Sequence, residues 1–315
     1  MSRFILILPT IFAAVLISGC EPKPPLSTAA DTNASRHPTV ITTSYPLHAL
    51  ATKLAEEDFD VQFICAGHKT PRTWKPTSDD ITALQKADLV LMNGAGYESW
   101  APFVSLPRSR TINTSAAYSD ELLPTDTTIK HQHGPAGDQS NSETAWSTWL
   151  RPVLLRQRLF ETQKHLTALR PTLADTMTSR AEKIAREIDQ LQTLVKKLKS
   201  STDRKRTVLS DDSCCAYLAT ALGWDLHELN FESRESPESR SETLSSAIKK
   251  IQPDILLYQK AVSPDHTSTF EQSSVPSIGI DLCETEIQNA QLIERLTLNL
   301  KTIESAIDNL NAQKH

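Results

Sequence analysis

The spacing of apolar residues changes period several times along the chain, and each change marks an element. Thr39–Thr43 is β-branched and reads as a strand, and Tyr45–Ala51 opens a helix with Leu47, Leu50, Ala51 and Leu54 on one face. Val61–Cys65 reads as a second strand, Leu89–Met92 as a third and Arg110–Asn113 as a fourth. The stretch Gly67–Trp100 organises this half. It holds a polar loop with Pro71 and Pro76, then a short helix capped by Thr77 or Ser78 with Asp79 and Asp80 in its first turn. The apolar run Ala87–Met92 follows, and Asn93–Gly96 stops it. From Leu173 to Leu198 apolar residues recur every three or four positions, with Lys and Glu on the other face. This predicts one long helix of roughly 40 Å at 1.5 Å per residue, with a coiled coil as the alternative. Beyond it the rhythm restarts. Strands are expected at Arg206–Leu209, Leu226–Asn230, Asp254–Tyr258 and Ser277–Ile280, and helices at Asp212–Leu222, Ser241–Ile251 and Glu286–Leu310. Phe231–Arg240 reads as a charged, serine-rich connector. The predicted fold class is α/β, with two lobes at 38–171 and 201–315. Each is a mostly parallel sheet flanked by helices, and a long rigid helix at 172–200 joins them.

The start of the chain changes the picture of where the protein works. Met1–Arg3 is a short positive region, Phe4–Ile17 is apolar but short for a membrane span, and Ser18-Gly19-Cys20 follows like a bacterial lipobox. Residues 1–19 are therefore expected to be a signal peptide and Cys20 the lipidated N-terminus, the alternative being an ordinary signal peptide with a chance cysteine. Residues 20–37, rich in Pro, Ser, Thr and Ala, read as a tether. These features point to a monomer anchored by lipid on the outer, periplasmic side of a bacterial membrane. The net charge of −5, with both signs interspersed, gives no sign of nucleic-acid binding. There is no Gly-rich phosphate loop, no nucleophile elbow and no Cys-x-x-Cys, so no enzyme is expected. Asp211 and Asp212 are adjacent at a strand end, where successive side chains diverge, which argues against a catalytic carboxylate pair.

The stretch 71–98 resembles the metal-binding type of periplasmic solute-binding protein, the receptor lipoproteins of zinc and manganese ABC importers. Their pattern is Pro-His-x-Tyr-x-Pro-Thr-x-x-Asp, a short helix, Ala-Asp-Leu-Val and an Asn-Gly-x-x-x-Glu turn. Here Pro71, Trp74, Pro76, Thr77 and Asp80 are followed by Ala87–Val90, Asn93, Gly94 and Glu98. Ser147–Pro152 is similar to the family's His-x-Trp-Leu-Asp-Pro, with Trp149, Leu150 and Pro152 matching and Arg151 in place of the aspartate. Asp212–Tyr217 followed by Gly223 is similar to its His-Asp-Ala-aromatic-Gly-Tyr. The resemblance implies the two-lobed fold, an ABC permease as partner, and transport of a divalent metal, zinc or manganese, bound by four residues in the cleft. Those four positions are Arg72, Ser147, Asp212 and Asp281 in this chain, where the family has three histidines and an acid. The resemblance also implies a histidine-rich loop near 126–144. His131 and His133 are a faint version of it, or incidental residues of a flexible loop.

Carboxylates at 212 and 281 remain competent ligands, Ser147 is a weak neutral one, and Arg72 cannot ligate because it stays protonated. A guanidinium about 4 Å from a dication costs on the order of 8 kcal/mol at an effective dielectric near 20. The simplest expectation is an ion triad of Arg72 with Asp212 and Asp281. Three functional readings stand beside it. One is a divalent metal held by the two aspartates and His68 or His48. The second is a thiophilic metal, because Cys65, Cys214, Cys215 and Cys283 all border the cleft segments. The bland counterpart is a disulfide from Cys283 to Cys214 or Cys215. The third is a small zwitterion, its carboxylate on Arg72 and its amine on the aspartates. A degenerate receptor that binds no metal and serves as a surface scaffold or accessory protein is the alternative of a different class. Trp74 has the family's aromatic position beside the loop, where packing explains it equally well.

Overall fold

The computed structural model describes residues 36–68, 71–124, 144–201, 204–229, 236–260, 264–288 and 291–312. The first lobe runs β1 (Thr39–Thr42), α1 (Tyr45–Ala55), β2 (Asp60–Phe63), α2 (Ser78–Lys86), β3 (Leu89–Met92) and β4 (Thr111–Asn113). Its four strands lie parallel in the order β2-β1-β3-β4, with Val40 opposite both Val61 and Leu89. After α3 (Pro152–Leu169) and α4 (Ala174–Ser200), the second lobe repeats the plan. It consists of β5 (Thr207–Ser210), α5 (Ala216–Leu222), β6 (Asp225–Glu228), α6 (Pro237–Ile251), β7 (Ile255–Gln259), α7 (Pro264–Glu271), β8 (Ser277–Ile280) and α8 (Leu292–Ala312). The strand order is again second-first-third-fourth, β6-β5-β7-β8, all parallel. Both faces of a parallel sheet are covered, which is why β3 and β7 read as unbroken apolar runs rather than alternating ones. In each sheet the order reverses between the first and third strands. The loops leaving their carboxyl ends there form the natural place for a ligand.

Local chemistry fixes the elements that frame that place. Thr77 caps α2 in a full capping box: its hydroxyl faces the Asp80 amide, and the Asp80 carboxylate accepts from the Thr77 amide at 2.8 Å. Gly223 ends α5 in the left-handed region at φ +72°. The α4 helix is 27 residues long, and Met177, Ala181, Ile184, Ile188, Leu191, Val195 and Leu198 are buried along one stripe. It packs against α3, and also against α1 of the first lobe and α5 and α8 of the second. One continuous core therefore runs from Val40 through α4 to Ile307. A smaller cluster of Leu209, Leu244, Leu256, Tyr258 and Phe270 fills the outer face of the second sheet.

Several expectations need correction. The α3 helix does not show in the apolar periodicity, because Arg158 and Thr162 sit on its buried face among the leucines and break the repeat. The helix expected at Asp212–Leu222 is a 3₁₀ turn at Ser213–Cys215 that passes into α5. The end of the presumed connector 231–240 is helical from Pro237, behind a Ser236 cap. The closing helix begins at Leu292, six residues later than expected. The leader, Cys20, the tether as far as residue 35, and His131 and His133 lie outside the described residues. No helix among the described residues is long and apolar enough to cross a membrane.

Candidate ligand site between the lobes

The first lobe supplies a wall built from the turn after β3, the 3₁₀ turn Pro71–Thr73 and the segment 146–150. Glu98 closes the β3 turn on itself. Its buried carboxylate accepts from Thr43 Oγ1 at 2.5 Å, from the Asn93 amide at 2.7 Å and from the Gly94 amide at 3.0 Å. Burial raises its pKa, and those bonds pull it partly back. Gly94 is required there: at φ +73°, any Cβ would meet Asn113 Oδ1 at 1.8 Å and Ser115 Oγ at 2.2 Å. Arg158, 0 % exposed, joins this turn to the segment before α3. It donates to Asn93 Oδ1 (2.5 Å), Tyr118 Oη (2.6 Å) and Thr148 Oγ1 (2.8 Å).

Ser147 and Trp149 reach across to the second lobe. Ser147 is fully buried, and its hydroxyl donates to the Cys214 carbonyl at 2.5 Å. Trp149 Nε1 donates to the Leu282 carbonyl at 2.8 Å. These bonds spend the Ser147 hydrogen on an inter-lobe tie.

The second lobe's wall is acidic. Asp211 is tied down: its carboxylate accepts from the amides of Gln259 (2.8 Å) and Asp212 (3.0 Å), joining the ends of β5 and β7. Asp212 accepts from the Cys214 amide at 2.5 Å and so caps the 3₁₀ turn. Burial and then the Asp211 charge raise its pKa, against the Cys214 bonds and the charge of Arg72. The ligand atoms of Asp211, Asp212 and Cys214 all lie within 4.8 Å of one another, so these neighbouring carboxylates converge where divergence was expected.

Asp281 does not join an Arg72 triad. Arg295, on the inner face of α8, takes its carboxylate in a fork, Nε to Oδ2 at 2.8 Å and Nη2 to Oδ1 at 2.7 Å. The Cys283 amide adds a third bond at 2.8 Å. Burial pushes the Asp281 carboxyl up, but these bonds outweigh it and hold the group below the usual carboxylate range. Arg295 also donates to the Thr285 carbonyl at 2.6 Å, which fixes the loop after β8.

That loop delivers the residue that sequence reasoning missed, Glu284. It accepts from Tyr97 Oη of the first lobe at 3.4 Å and from Gln259 Nε2 at 3.3 Å. Burial lifts its pKa to about 7, with Arg72 and the Tyr97 and Gln259 bonds pulling down and Asp212 pushing up. The preceding residue, Cys283, holds a left-handed backbone at φ +56°, uncommon for a side-chain-bearing residue. The one available signal for Glu284 was an acid a few residues beyond a strand's carboxyl end, in a segment already bordering the cleft.

Arg72, on the 3₁₀ turn of the first lobe, is exposed. Its guanidinium sits 5.1 Å from the centroid of the Trp146 ring. Its charge acts on both Asp212 and Glu284, yet it makes no ion pair within 4.0 Å among the described residues. Trp146 packs against Tyr97 (5.6 Å) and Trp149 (5.5 Å), and its indole N–H is buried with no acceptor among the described residues.

The remaining candidates stand apart. His68 is exposed, edge-on to Trp74, which itself packs on Trp100. His48 pairs with Glu286 at 3.3 Å and lines a depression of about 560 Å³ between α1 and the start of α8. All four described cysteines are free, so the expected disulfide from Cys283 is absent. Cys214 and Cys215 place their sulfurs 3.6 Å apart. Cys65 donates to the Thr43 carbonyl at 3.7 Å, and burial pushes its thiol up to about 12.

Two similar α/β lobes, one shared core with a long helix along it, and polar side chains gathered at the strand ends define a two-lobed α/β fold. Residues 40–306 match the family model of the periplasmic zinc-uptake complex component A, ZnuA, and the chain belongs to that family. It is a family of binding receptors, not of enzymes. The high-affinity zinc uptake system protein ZnuA of Bacillus subtilis is 24 % identical over 189 residues, which is 58 % of this chain and 58 % of that protein. This chain thus matches a little over half the length of that curated relative. Among solved structures, the metal-dependent lipoprotein YcdH of Bacillus subtilis superposes with a TM-score of 0.68 at 17 % identity, covering 85 % of this chain and 98 % of that one. The Zn(II)-bound ZnuA-like domain of Streptococcus pneumoniae AdcA gives 0.68 at 17 % identity, covering 87 % and 100 %. At these identities the structural likeness speaks for the fold.

Proposed function

We propose that this protein is the extracytoplasmic receptor of a metal ABC importer, anchored by lipid at Cys20, which captures a divalent cation between its lobes for a membrane permease. The observation that carries the reading is the acidic wall of the second lobe, where the ligand atoms of Asp211, Asp212 and Cys214 lie within 4.8 Å of one another and Gln259 bonds both Asp211 and Glu284. Asp212 and Glu284 come from separate strand ends of that lobe, and burial raises both pKa values. Carboxylates gathered out of water in this way repel each other and favour a cation between them. Asp212 keeps the family's ligand position. Glu284 takes the acidic role foreseen for Asp281, which instead sets the loop through Arg295. Membership in the zinc-uptake family supports zinc, and the Zn(II)-bound AdcA domain shares the fold. With oxygen donors in place of imidazoles, zinc's usual advantage over manganese narrows, because carboxylates suit the harder ion.

The test uses the mature chain, residues 20–315, without a histidine tag. Bound metals are measured by mass spectrometry, and zinc and manganese are titrated by calorimetry. Binding tighter than about 10 μM, roughly −7 kcal/mol, is expected for at least one of them. Weaker binding to both removes the importer reading. Arg72 at a family ligand position favours a second reading, a receptor that has lost its metal and serves as a surface scaffold. The same titration decides between the two.

A further inference from the structure

We infer that the cation is held by sulfur as well as oxygen: Cys214, as its thiolate, joins Asp211 and Asp212 in a mixed site that takes a thiophilic divalent ion, zinc or cadmium, ahead of manganese. The inference rests on the cation reading above and adds the residue that chooses the metal.

The first ground is distance. The ligand atoms of Asp211, Asp212 and Cys214 lie within 4.8 Å of one another. A tetrahedral zinc ion, with sulfur at about 2.3 Å and oxygen at about 2.0–2.2 Å, keeps its ligands roughly 3.3–3.6 Å apart. Closing each pair onto an ion therefore takes at most about 1.5 Å of movement. The backbone of Cys214 is held on both sides. Its amide donates to Asp212 Oδ1 at 2.5 Å, and its carbonyl accepts from the Ser147 hydroxyl at 2.5 Å. The thiol points at Asp211 Oδ1, 3.6 Å away. An ion takes the place of the thiol hydrogen, which leaves to water as a proton while the sulfur's electron pair turns to the metal. The amide bonds do not disqualify the carboxylates. Asp211 accepts from Gln259 and Asp212 from Cys214, and a carboxylate has about four lone-pair sites, so each keeps an edge for a metal.

The second ground is the donor chemistry. No histidine belongs to a cluster of metal-ligating groups among the described residues, and sulfur supplies the borderline donor that an imidazole would otherwise give. Carboxylates alone suit a hard ion such as manganese, whereas one thiolate turns the preference towards zinc and softer ions. Cys214 and Asp211 are 0 % and 4 % exposed, so water competes weakly for their ligand atoms, and the half-buried Asp212 is the ligand that meets solvent. Three protein ligands leave zinc a fourth position for water, which suits an ion that has to be released again. The Cys215 sulfur lies 3.6 Å from that of Cys214 and is equally buried, but it stands outside the three-residue cluster. It therefore serves as an internal control.

The test loads cobalt(II), a coloured stand-in for zinc, into the mature chain, residues 20–315, kept reduced. A thiolate ligand gives a sulfur-to-cobalt charge-transfer band in the near ultraviolet, and oxygen ligands give none. The band is expected in the wild-type protein, in Cys215→Ser and in Cys65→Ser, and is expected to vanish in Cys214→Ser, each variant being checked for native circular dichroism. Cadmium affinity should fall by about tenfold or more in Cys214→Ser, while manganese affinity changes by less than about threefold. Zinc-edge X-ray absorption needs no variant, and one sulfur at about 2.3 Å is expected beside the oxygens. Cobalt bound without the band, a band that survives Cys214→Ser, or a zinc shell without sulfur overturns the inference and leaves an oxygen-ligated cation receptor intact. Absence of binding for every metal overturns both.

Discussion

At the scale of single residues, two side chains set the character of the cleft. The motif resemblance around Pro71–Thr77 implies an imidazole at position 72, and on that proposal a neutral nitrogen there ligates where a guanidinium repels. Arg72→His is therefore expected to tighten zinc binding by about tenfold or more, about 1.4 kcal/mol, when measured by calorimetry. An unchanged affinity would mean that residue 72 stands outside the coordination sphere. Glu284 makes the metal-free protein respond to pH. Its pKa lies at about 7 in the folded chain, above the ordinary value of about 4.3. A raised carboxylate favours folding most below its unfolded value and loses that contribution as pH rises through the folded one. Asp212, also raised, works in the same direction. Asp281 is lowered, so its opposing effect falls at acid pH, below the ordinary aspartate value, and does not cancel the trend. The chelator-treated protein is expected to lose up to about 3 kcal/mol of stability from Glu284 between roughly pH 5 and 8. Urea titrations across that range check this, and Glu284→Gln should flatten the slope.

At the scale of elements, the turn after β3 gives the sharpest expectation. Gly94 accepts no side chain: its φ is positive and its missing Cβ space is filled by Asn113 and Ser115. Gly94→Ala should lower unfolding stability by about 2 kcal/mol or more, from strain and displacement of the Asn113 cap together. Denaturant midpoints read that loss, and a neutral effect would mean the turn relaxes freely. The Asn-Gly stop was visible in the sequence, as were β3, the α2 cap and the stripe along α4, because local pattern alone determines them. The α3 helix was not visible. Its inward face carries Arg158, whose acceptors come from residues 93, 118 and 148, and no local window contains that partnership. The site divided in the same way. The turn carrying Asp212 was legible as a motif at a strand end, and its acidic neighbours were not. The diversion of Asp281 to Arg295 and the arrival of Glu284 depend on how α8 returns to the sheet, 14 residues later. The converging Asp211 and Asp212 carboxylates reflect a 3₁₀ turn where a regular helix was expected.

At the scale of the whole molecule, the lobes are joined by more than α4. The core is continuous through both. The Ser147–Cys214, Trp149–Leu282 and Leu123–Tyr217 hydrogen bonds cross from one to the other in or beside the cleft. Opening by a large hinge would strip these buried groups of their partners at about 1–3 kcal/mol each. On the receptor proposal, ligand entry is expected by local movement of the loops carrying Arg72 and Glu284, with the lobes nearly fixed. Two measurements follow from this. Small-angle scattering of residues 37–315 should give the same radius of gyration with and without metal, to within about 1 Å on an expected value near 19 Å. Calorimetric unfolding should show a single transition with equal calorimetric and van't Hoff enthalpies, because one core cannot melt by halves. Trp149→Phe keeps the ring but strands the Leu282 carbonyl, and should lower that transition by about 1–3 kcal/mol without splitting it. Two separate transitions, or a shrinkage of several ångströms on adding metal, would show instead that the lobes are independent and that the cleft closes by rotation.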